Sequence, residues 1–372
     1  MASRALGLLV LLLLAAAGEA SSQHGDQGTS NPFPRASIEG LFYLTYQAGE
    51  EGGEDYSRFA ITRSYLTARV RVLPKLSGRI TMDARQDMEG DDRGDMKVRL
   101  KYAYAEYDFG DWGRLTDIGL EGGIVHVVWF DFEDHINLYR MRDGMFMDRS
   151  GMFNSADFGL TLTGGIGEEL PEEYLDEVSS HHAARHGSFA VGVYNGGGYH
   201  GDERNENKVV QGRLTIRPLP DVIPGFQLSG LAIMGKGNQE GEDDEIPDWR
   251  AYNLMASYQL PRTALTAQYA WGNGNQKGSW TAPTDPSEAT DYDGYSLFGE
   301  YRIGPNWRLL GGLDDLDRSP GSSDLSFTRV HGGVAYDFGG QNILLFDLDR
   351  RNWDDSDLET DTRFQVVMQV KF

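Results

Sequence analysis

The last ten residues of the chain alternate between apolar and polar side chains. One face is apolar and consists of Phe364, Val366, Met368, Val370 and Phe372. The other face is mostly polar and consists of Gln365, Val367, Gln369 and Lys371. A period of two residues indicates a β-strand, because successive side chains of a strand point to opposite sides. This strand is typical of a wall between lipid and water, although an edge strand of a soluble β-sandwich alternates in the same way.

The same alternation recurs along the chain and predicts an all-β fold. Sixteen segments are strand candidates, at 36–47, 59–72, 77–86, 97–109, 114–127, 156–164, 188–195, 208–218, 226–235, 249–259, 263–273, 292–302, 306–316, 326–337, 342–350 and 362–372. An even number of antiparallel strands lets the two ends of the meander meet and close. We therefore predict a single transmembrane antiparallel β-barrel of about 16 strands over residues 36–372.

The connections between these segments alternate in length. Those after even-numbered segments are tight and contain Gly, Pro or Asn, as at 73–76, 110–113, 260–262 and 303–306. Those after odd-numbered segments are longer and acidic, as at 49–55, 87–95, 237–248 and 354–361. Short periplasmic turns at one end and long extracellular loops at the other are typical of outer-membrane barrels. Residues 165–187 break this rule, and we predict that they form a periplasmic insertion, the alternative being that the sixth strand is misplaced.

The N-terminus has the pattern of a secretory signal. Arg4 precedes an apolar run over 6–17, and Gly18-Glu19-Ala20, with small residues at the cleavage positions, comes before Ser21. We predict that residues 1–20 are a signal peptide and that residues 21–35, rich in Ser, Gln, Gly and Pro, are a mobile start of the mature chain. Because the mature chain contains no further apolar run of spanning length, a closed barrel is the way it would lie in a membrane.

Composition changes this picture in three respects. The mean hydropathy of -0.47 is compatible with a barrel, since only every second residue of a strand faces lipid. With Cys 0, the chain has neither disulfides nor cysteine-ligated zinc. The formal net charge of -23 excludes nucleic acid as an expected partner, because phosphates are bound by Lys and Arg.

The strand phase predicts a basic lumen in this acidic protein. A lipid-facing Arg costs about 2–4 kcal/mol at the bilayer midplane, so the basic rows of the second, third, fourth and eighth strands are expected to face inward. The predicted pore-lining residues are Arg63, Arg69, Arg71, Arg79, Arg85, Arg99 and Arg213. The alternative for any one of them is mutual neutralisation with lumen acids such as Asp83, Asp347 and Asp349. Rings of fixed charge along a pore select the ions that enter it.

The segment between the fifth and sixth strands is too aromatic for a solvated outer loop. We predict that residues 128–155 fold into the lumen as a constriction loop, the alternative being a cap over the barrel mouth or a contact with a neighbouring subunit. The predicted constriction residues are Trp129, Asp131, Glu133, Asp134, Arg140 and Arg142.

The chain resembles the phosphate-selective porin family of bacterial outer membranes. The resemblance rests on the segment 129–140, the return at 155–160, the strand end at 193–199, the stretch 211–214 with Pro218 after it, and the terminal Phe372. It implies a sixteen-stranded passive diffusion pore in the outer membrane of a Gram-negative-type bacterium, usually a homotrimer. It also implies that Phe372 ends the signal read by the barrel assembly machinery, and that lipid and lipopolysaccharide surround the barrel. The selective members bind phosphate or polyphosphate through arginines and lysines, whereas this chain has acidic outer loops and three acids in its constriction segment, which puts phosphate specificity in doubt.

Other functions remain as alternatives. A plugged structural or adhesion barrel would not conduct ions, and a barrel hydrolase would need a Ser, a His and an orienting acid at the outer surface. The histidines His181, His182 and His186 lie in the predicted periplasmic insertion, where solvated side chains without a fixed scaffold are more often adventitious metal ligands than a site. We predict no enzyme activity, no cofactor and no metal-binding residues, with small ions or anionic solutes as ligands.

Overall fold

The computed structural model describes residues 34–86, 94–242, 245–318, 326–355 and 357–372. In this part of the chain there are eighteen strands and three short helices. The first nine strands are β1 (Arg35–Glu51), β2 (Glu54–Leu73), β3 (Leu76–Gln86), β4 (Met96–Trp112), β5 (Leu115–His126), β6 (Ala156–Ile166), β7 (Gly187–Tyr194), β8 (Val209–Ile216) and β9 (Phe226–Lys236). The others are β10 (Asp248–Leu260), β11 (Thr263–Asn273), β12 (Thr281–Ala282), β13 (Asp285–Ala289), β14 (Asp291–Ile303), β15 (Trp307–Arg318), β16 (Phe327–Gly339), β17 (Asn342–Trp353) and β18 (Asp361–Lys371). The helices are α1 (Phe130–Asp134), α2 (Phe146–Arg149) and α3 (Glu172–Glu177).

Sixteen of these strands form one closed antiparallel barrel. Each strand pairs with its neighbours in the chain, and only the hairpin β12–β13 lies apart, within the loop between β11 and β14. The barrel closes where β18 pairs with β1, from Leu41 opposite Lys371 to Glu50 opposite Thr362. The predicted number of strands and their closure are thus confirmed, and each of the sixteen predicted segments overlaps one barrel strand.

The strands place apolar side chains outside and polar side chains inside. On β17, Asp347 is 1% exposed on the inner side, whereas the next residue, Leu348, is 65% exposed on the outer side. Aromatic rings flank the outer surface at both ends, as in the contacts of Trp307 with Tyr336 near the short turns and of Tyr252 with Trp271 near the long loops. An apolar belt between two aromatic girdles is the outer surface expected for a barrel in lipid.

The first connection differs from its prediction. Residues 49–55 were expected to form a long acidic loop, but β1 and β2 run on until Glu51 pairs with Glu54. The two residues between them, Gly52 and Gly53, have φ angles of 58° and 79°. A two-residue hairpin turn with positive φ at both positions matches the twist of the flanking strands and favours Gly, so a tight turn replaces the loop.

The predicted signal peptide, residues 1–20, and nearly all of the predicted mobile segment, 21–35, lie outside the described residues, as do residues 87–93 of an acidic loop. Within the described part of the chain, no helix is both long and apolar enough to cross a membrane.

The C-terminal residue is bound to the first strand. The Phe372 backbone N–H donates to the Gly40 carbonyl at 3.0 Å, and the Gly40 N–H donates back to Phe372 at 2.9 Å. A Cβ atom on Gly40 would lie 2.3 Å from the Phe372 ring, so the ring covers the space that the missing side chain leaves. Phe372 therefore completes the seam at which the barrel closes.

Candidate functional site

The segment between β5 and β6 lies inside the barrel. Its residues Trp129, Phe130, Phe132, Phe146 and Met147 are buried in one apolar cluster with side chains from the inner wall. The bonds that hold it come from β8, β11 and β15 to β17. The segment 128–155, called the constriction loop below, therefore enters the lumen and does not stand free at the barrel mouth.

The first half of the constriction loop is fixed through Glu133. This carboxylate accepts hydrogen bonds from Gln268 Nε2 on β11 at 2.7 Å and from Trp129 Nε1 at 2.8 Å. Burial raises the pKa of Glu133 to about 7, and the two hydrogen bonds offset part of this rise. Further along the wall, Arg213 Nε on β8 donates to the Val128 carbonyl at 3.1 Å.

The second half is fixed by ion pairs to β15, β16 and β17. Arg142 Nε lies 3.4 Å from Asp347 Oδ1, and Arg329 Nη2 donates to Asp143 Oδ2 at 2.9 Å. Arg149 forms an ion pair with Asp314. Burial lowers the pKa of Arg142 to about 10 despite the nearby Asp347 carboxylate. Charged side chains of β15 to β17 thus bind the loop, and lumen space remains between the loop and β1 to β4.

That remaining space has a basic lining beside the acids of the loop. A cavity of about 230 Å³ lies between the loop and the wall, and its lining includes Arg69, Arg79, Lys101, Asp131, Asp134 and Arg140. A second space, of about 340 Å³, lies toward the long loops and is lined by residues that include Arg58, Asp143, Arg329, Arg351, Asp361 and Arg363. Charges of both signs therefore line the path on each side of the constriction loop.

The predicted pore-lining arginines fall into two groups. Arg69, Arg71 and Arg85 are exposed, and Arg69 Nε lies 3.6 Å from Glu39 Oε1. Arg63 Nη1 donates to Tyr65 Oη at 3.1 Å, and Arg79 Nε donates to Thr81 Oγ1 at 3.1 Å. These five side chains lie on the inner face of β2 and β3.

The other two predicted arginines are held by neighbours. Arg99 Nη2 lies 3.5 Å from Asp83 Oδ2, as the neutralisation alternative expected. Arg213 points inward but is only 3% exposed, because Phe132 covers its guanidinium at 4.4 Å. Arg213 therefore supports the constriction loop from behind instead of facing open lumen.

Several lumen arginines were not among the predicted residues, and Arg329 and Arg363 are examples. Arg329 on β16 and Arg363 on β18 both bind Asp349, and Arg363 Nη2 does so at 2.8 Å. Each lies at an inward position of its strand, so the two-residue period of the strand would have predicted both.

The segment between β6 and β7, predicted as a periplasmic insertion, folds back against the barrel. It contains α3, and Glu169 pairs with Ala184 in an isolated bridge at its base. Buried Arg217, just after β8, donates from Nη2 to the His182 carbonyl at 3.0 Å and from Nε to the Ala184 carbonyl at 3.2 Å. Residues 167–186 are called the insertion below. These two bonds bring the tip of the insertion to the constriction loop.

The insertion and the constriction loop meet in a cluster of histidines around Asp131. His182 Nε2 lies 3.2 Å from Asp131 Oδ2, and the rings of His181 and His135 stack with centroids 3.7 Å apart. Burial lowers the pKa of His181 to about 4 and also lowers the pKa of His182. From the sequence, His181 and His182 were expected in a solvated loop. Nothing in the sequence indicated their proximity to Asp131, because the two segments are about fifty residues apart.

Comparisons with known proteins show the fold. No family model matches the chain, and no curated protein matches its sequence. The structure is similar to the anion-selective porin from Comamonas acidovorans, with 11% sequence identity, a TM-score of 0.63, and coverage of 91% of this chain and 100% of that one. It is also similar to Salmonella typhi OmpF in complex with daunomycin, with 14% identity, a TM-score of 0.59, and coverage of 92% and 99% of the two chains. The outer membrane channel DcaP of Acinetobacter baumannii is similar at 12% identity and a TM-score of 0.56, with 93% and 99% covered. The chain thus has the barrel fold of outer-membrane porins, while its predicted place in the phosphate-selective family stays a prediction.

Proposed function

We propose that this protein is an outer-membrane porin of a Gram-negative-type bacterium, through which small hydrophilic solutes and ions diffuse passively. The observation that carries the proposal is the closed sixteen-stranded barrel, whose outer face is apolar and whose charged lumen contains an inward-folded loop. An apolar belt needs lipid around it, and a charged interior needs water within it. The structurally similar porins and channel support the same conclusion.

We propose further that the lumen favours anions weakly. Arg69 and Arg79 line the inner cavity together with Lys101, and these bases lie closer to a passing ion than the acids of the outer loops. Outer-loop acids more than about 8 Å away are screened in physiological salt. Asp131 and Asp134 line the same cavity and oppose this preference, so we propose a weak preference for anions in general. Selectivity for phosphate is a separate and narrower proposal.

The proposed partners follow from the fold. One structurally similar protein, the OmpT outer membrane protein of Vibrio cholerae, is described in a trimer form, at 10% identity and a TM-score of 0.55. We propose a homotrimer here as well, inserted by the barrel assembly machinery with Phe372 as the terminal anchor and surrounded by lipid and lipopolysaccharide.

A plugged barrel is the second candidate. It is favoured by the depth to which the constriction loop and the insertion fill the lumen, where they contact each other across the Asp131 and His182 side chains. Such a barrel would serve as a structural or adhesion protein and would not conduct.

Single-channel recording in a planar bilayer separates the two candidates. A porin gives discrete conductance steps. If the pore prefers anions, its reversal potential under a KCl gradient has the sign of the chloride equilibrium potential. Folded, heat-modifiable protein that inserts without conductance would refute the porin and support the plugged barrel. A reversal potential on the potassium side would refute the anion preference alone, and phosphate added as a competitor tests the narrower proposal.

A further inference from the structure

Three side chains from two separate segments converge beside the lumen. Within the residues that the structure describes, Asp131, His135 and His182 are the one group of three whose potential ligand atoms all lie within 4.8 Å of one another. Asp131 and His135 are four residues apart, at the first turn of α1 and at its end, and therefore project from the same side of the helix. His182 reaches them from the insertion. The group thus brings together the constriction loop and the insertion, two segments that are separate in sequence.

The His182 backbone is held in place, and the Nε2 atom of its side chain has no hydrogen-bond partner in the part of the chain that the structure describes. Its backbone has a positive φ of 50°, which non-glycine residues seldom adopt, and Arg217 binds its carbonyl oxygen. Among the described residues, its Nε2 atom is one of the buried side-chain atoms without a hydrogen-bond partner, although it lies 3.2 Å from Asp131 Oδ2. Buried polar atoms in native proteins are usually satisfied, so this nitrogen is available to a ligand absent from the protein chain itself.

His135 has the surroundings of a metal ligand, with Nδ1 engaged and Nε2 left for an ion. His135 Nδ1 lies 2.6 Å from the Asp131 carbonyl oxygen, and a histidine that binds a metal through one ring nitrogen usually donates from the other to such an acceptor. A fourth nearby residue, His126, is already engaged, because its Nε2 lies 3.2 Å from Arg79 Nη1, which can only donate. The separation of 3.2 Å between His182 and Asp131 is close to the value of about 3.3 Å between ligands in a tetrahedral site with bonds of about 2.0–2.1 Å.

We propose that Asp131, His135 and His182 form a binding site for an imidazole-preferring transition-metal ion such as Zn²⁺, which links the insertion to the constriction loop. Two imidazoles and one carboxylate suit zinc and its neighbours in the first transition row better than Mg²⁺ or Ca²⁺, which prefer oxygen ligands alone. The ion reaches the site from the lumen, since Asp131 and His135 line the inner cavity. Three protein ligands leave a fourth position that is open to water or a solute.

A bound ion has a defined structural effect. The insertion is held to the barrel by Arg217, and the constriction loop is held by ion pairs to β15, β16 and β17, so the cluster is where these two anchored segments meet. A metal bond between them fixes the position of the insertion tip beside the inner cavity. The ion therefore stabilises one arrangement of the lumen against others.

The test is calorimetric titration of Zn²⁺ into the untagged, refolded and chelator-treated full-length protein in detergent, a measurement that does not depend on conduction. The variants His182→Asn and His135→Gln remove one ligand each, and Asn is chosen at position 182 because it tolerates positive φ. The control His186→Gln removes a histidine of the same insertion that lies outside the cluster. Heat-modifiable migration shows which variants are folded, and only folded variants are compared.

We expect one Zn²⁺ per wild-type chain and a loss of at least about 100-fold in affinity in either ligand variant, since even residues that merely support a metal ligand contribute about 10- to 100-fold. The control should bind as the wild type does, and Ca²⁺ should not compete. No zinc binding by the wild type, undiminished binding by a folded ligand variant, or an equal loss in His186→Gln would each overturn the proposal. If His182→Asn does not fold, His135→Gln decides alone.

Discussion

Reversing the charge of two lumen arginines tests the field inside the barrel. Arg69 and Arg85 are both exposed on the inner face, so replacing them disturbs little packing. Arg69 has an acid at 3.6 Å, Glu39, but both side chains are exposed, whereas Arg99 is bound to buried Asp83. Arg213 is buried beneath Phe132. The double variant Arg69→Glu with Arg85→Glu changes the lumen charge by about four elementary charges at neutral pH, because each position goes from positive to negative.

The expected effect follows from Coulomb's law. At about 8 Å in a water-filled lumen, one unit charge contributes about 0.5 kcal/mol to the energy of a monovalent ion, and screening over about one Debye length reduces this to about 0.2 kcal/mol. Four unit charges then stabilise a cation by about 0.8 kcal/mol and destabilise an anion by the same amount. The ratio of anion to cation permeability should fall about 15-fold, and more where the low-dielectric wall focuses the field.

The assay is the reversal potential under a KCl gradient for single channels in a planar bilayer. Arg250→Glu is the control, because it makes the same charge change per substituted residue at an exposed position of β10 between the inward-facing Trp249 and Ala251. We expect the double variant to shift toward potassium and the control to stay near the wild type. An unchanged permeability ratio in the double variant, or an equal shift in the control, would show that these arginines do not set the selectivity.

Three other changes have defined outcomes. Deleting Phe372 removes both backbone hydrogen bonds to Gly40 at the seam, so we expect little heat-modifiable barrel on an electrophoretic gel, and wild-type amounts would contradict the role of this residue. Burial raises the pKa of Glu133 to about 7, above its usual value, so its protonated form stabilises the fold at low pH and this contribution is lost as pH rises toward and through about 7. Glu133→Gln should therefore flatten the pH dependence of the urea midpoint. An unchanged slope would refute this. Arg329→Met removes one of the two arginines that pair with Asp143 and Asp349 and leaves Arg363 as the other, so it should cost about 1.5–3 kcal/mol in unfolding free energy, with Arg250→Met as the control that should change it little.

The barrel could be predicted because a membrane constrains every strand in the same way. Lipid requires apolar side chains at alternate positions, and water in the lumen permits polar ones between them, so both signals appear in each segment of the sequence. The alternation of Asp347 and Asp349 with Phe346 and Leu348 is an example, and no soluble sheet would leave the apolar pair outside. The strand count and the closure of the barrel depend only on this local information.

Strict periodicity does not detect a β-bulge. The pairing of β1 with β2 shifts by one residue next to Arg63, and the pairing of β3 with β4 shifts next to Lys101. Each bulge inserts an extra residue that changes the phase of the side chains beyond it. The inward positions at one end of a strand therefore cannot be extrapolated from those at the other end. At the bulge in β4, the successive residues Lys101 and Tyr102 are both buried.

The interior of the barrel could be predicted only in part, because its contacts join residues that are distant in sequence. The aromatic content of 128–155 indicated a buried loop, yet its anchors on β11 and β15 to β17 follow only from the closed geometry. The insertion shows the same limit more clearly. Nothing local distinguishes a solvated histidine from His182, which becomes a partner of Asp131 only after Arg217 has fixed the insertion at the base of the barrel.

The ion pairs inside the barrel bear on the proposed anion preference of this acidic chain. Most inward carboxylates of β15 to β17 are already bound, since Asp314 pairs with Arg149, Asp347 with Arg142, and Asp349 with Arg329. Each such pair is nearly neutral to an ion that passes at a distance, because its two charges lie close together. Arg79, by contrast, contacts Thr81, His126 and the Tyr102 ring, groups that do not cancel its charge when the imidazole is neutral. The positive charge of β2 and β3 is therefore less compensated than the negative charge of β15 to β17, and the proposed anion preference rests on this difference, not on the net charge of the chain.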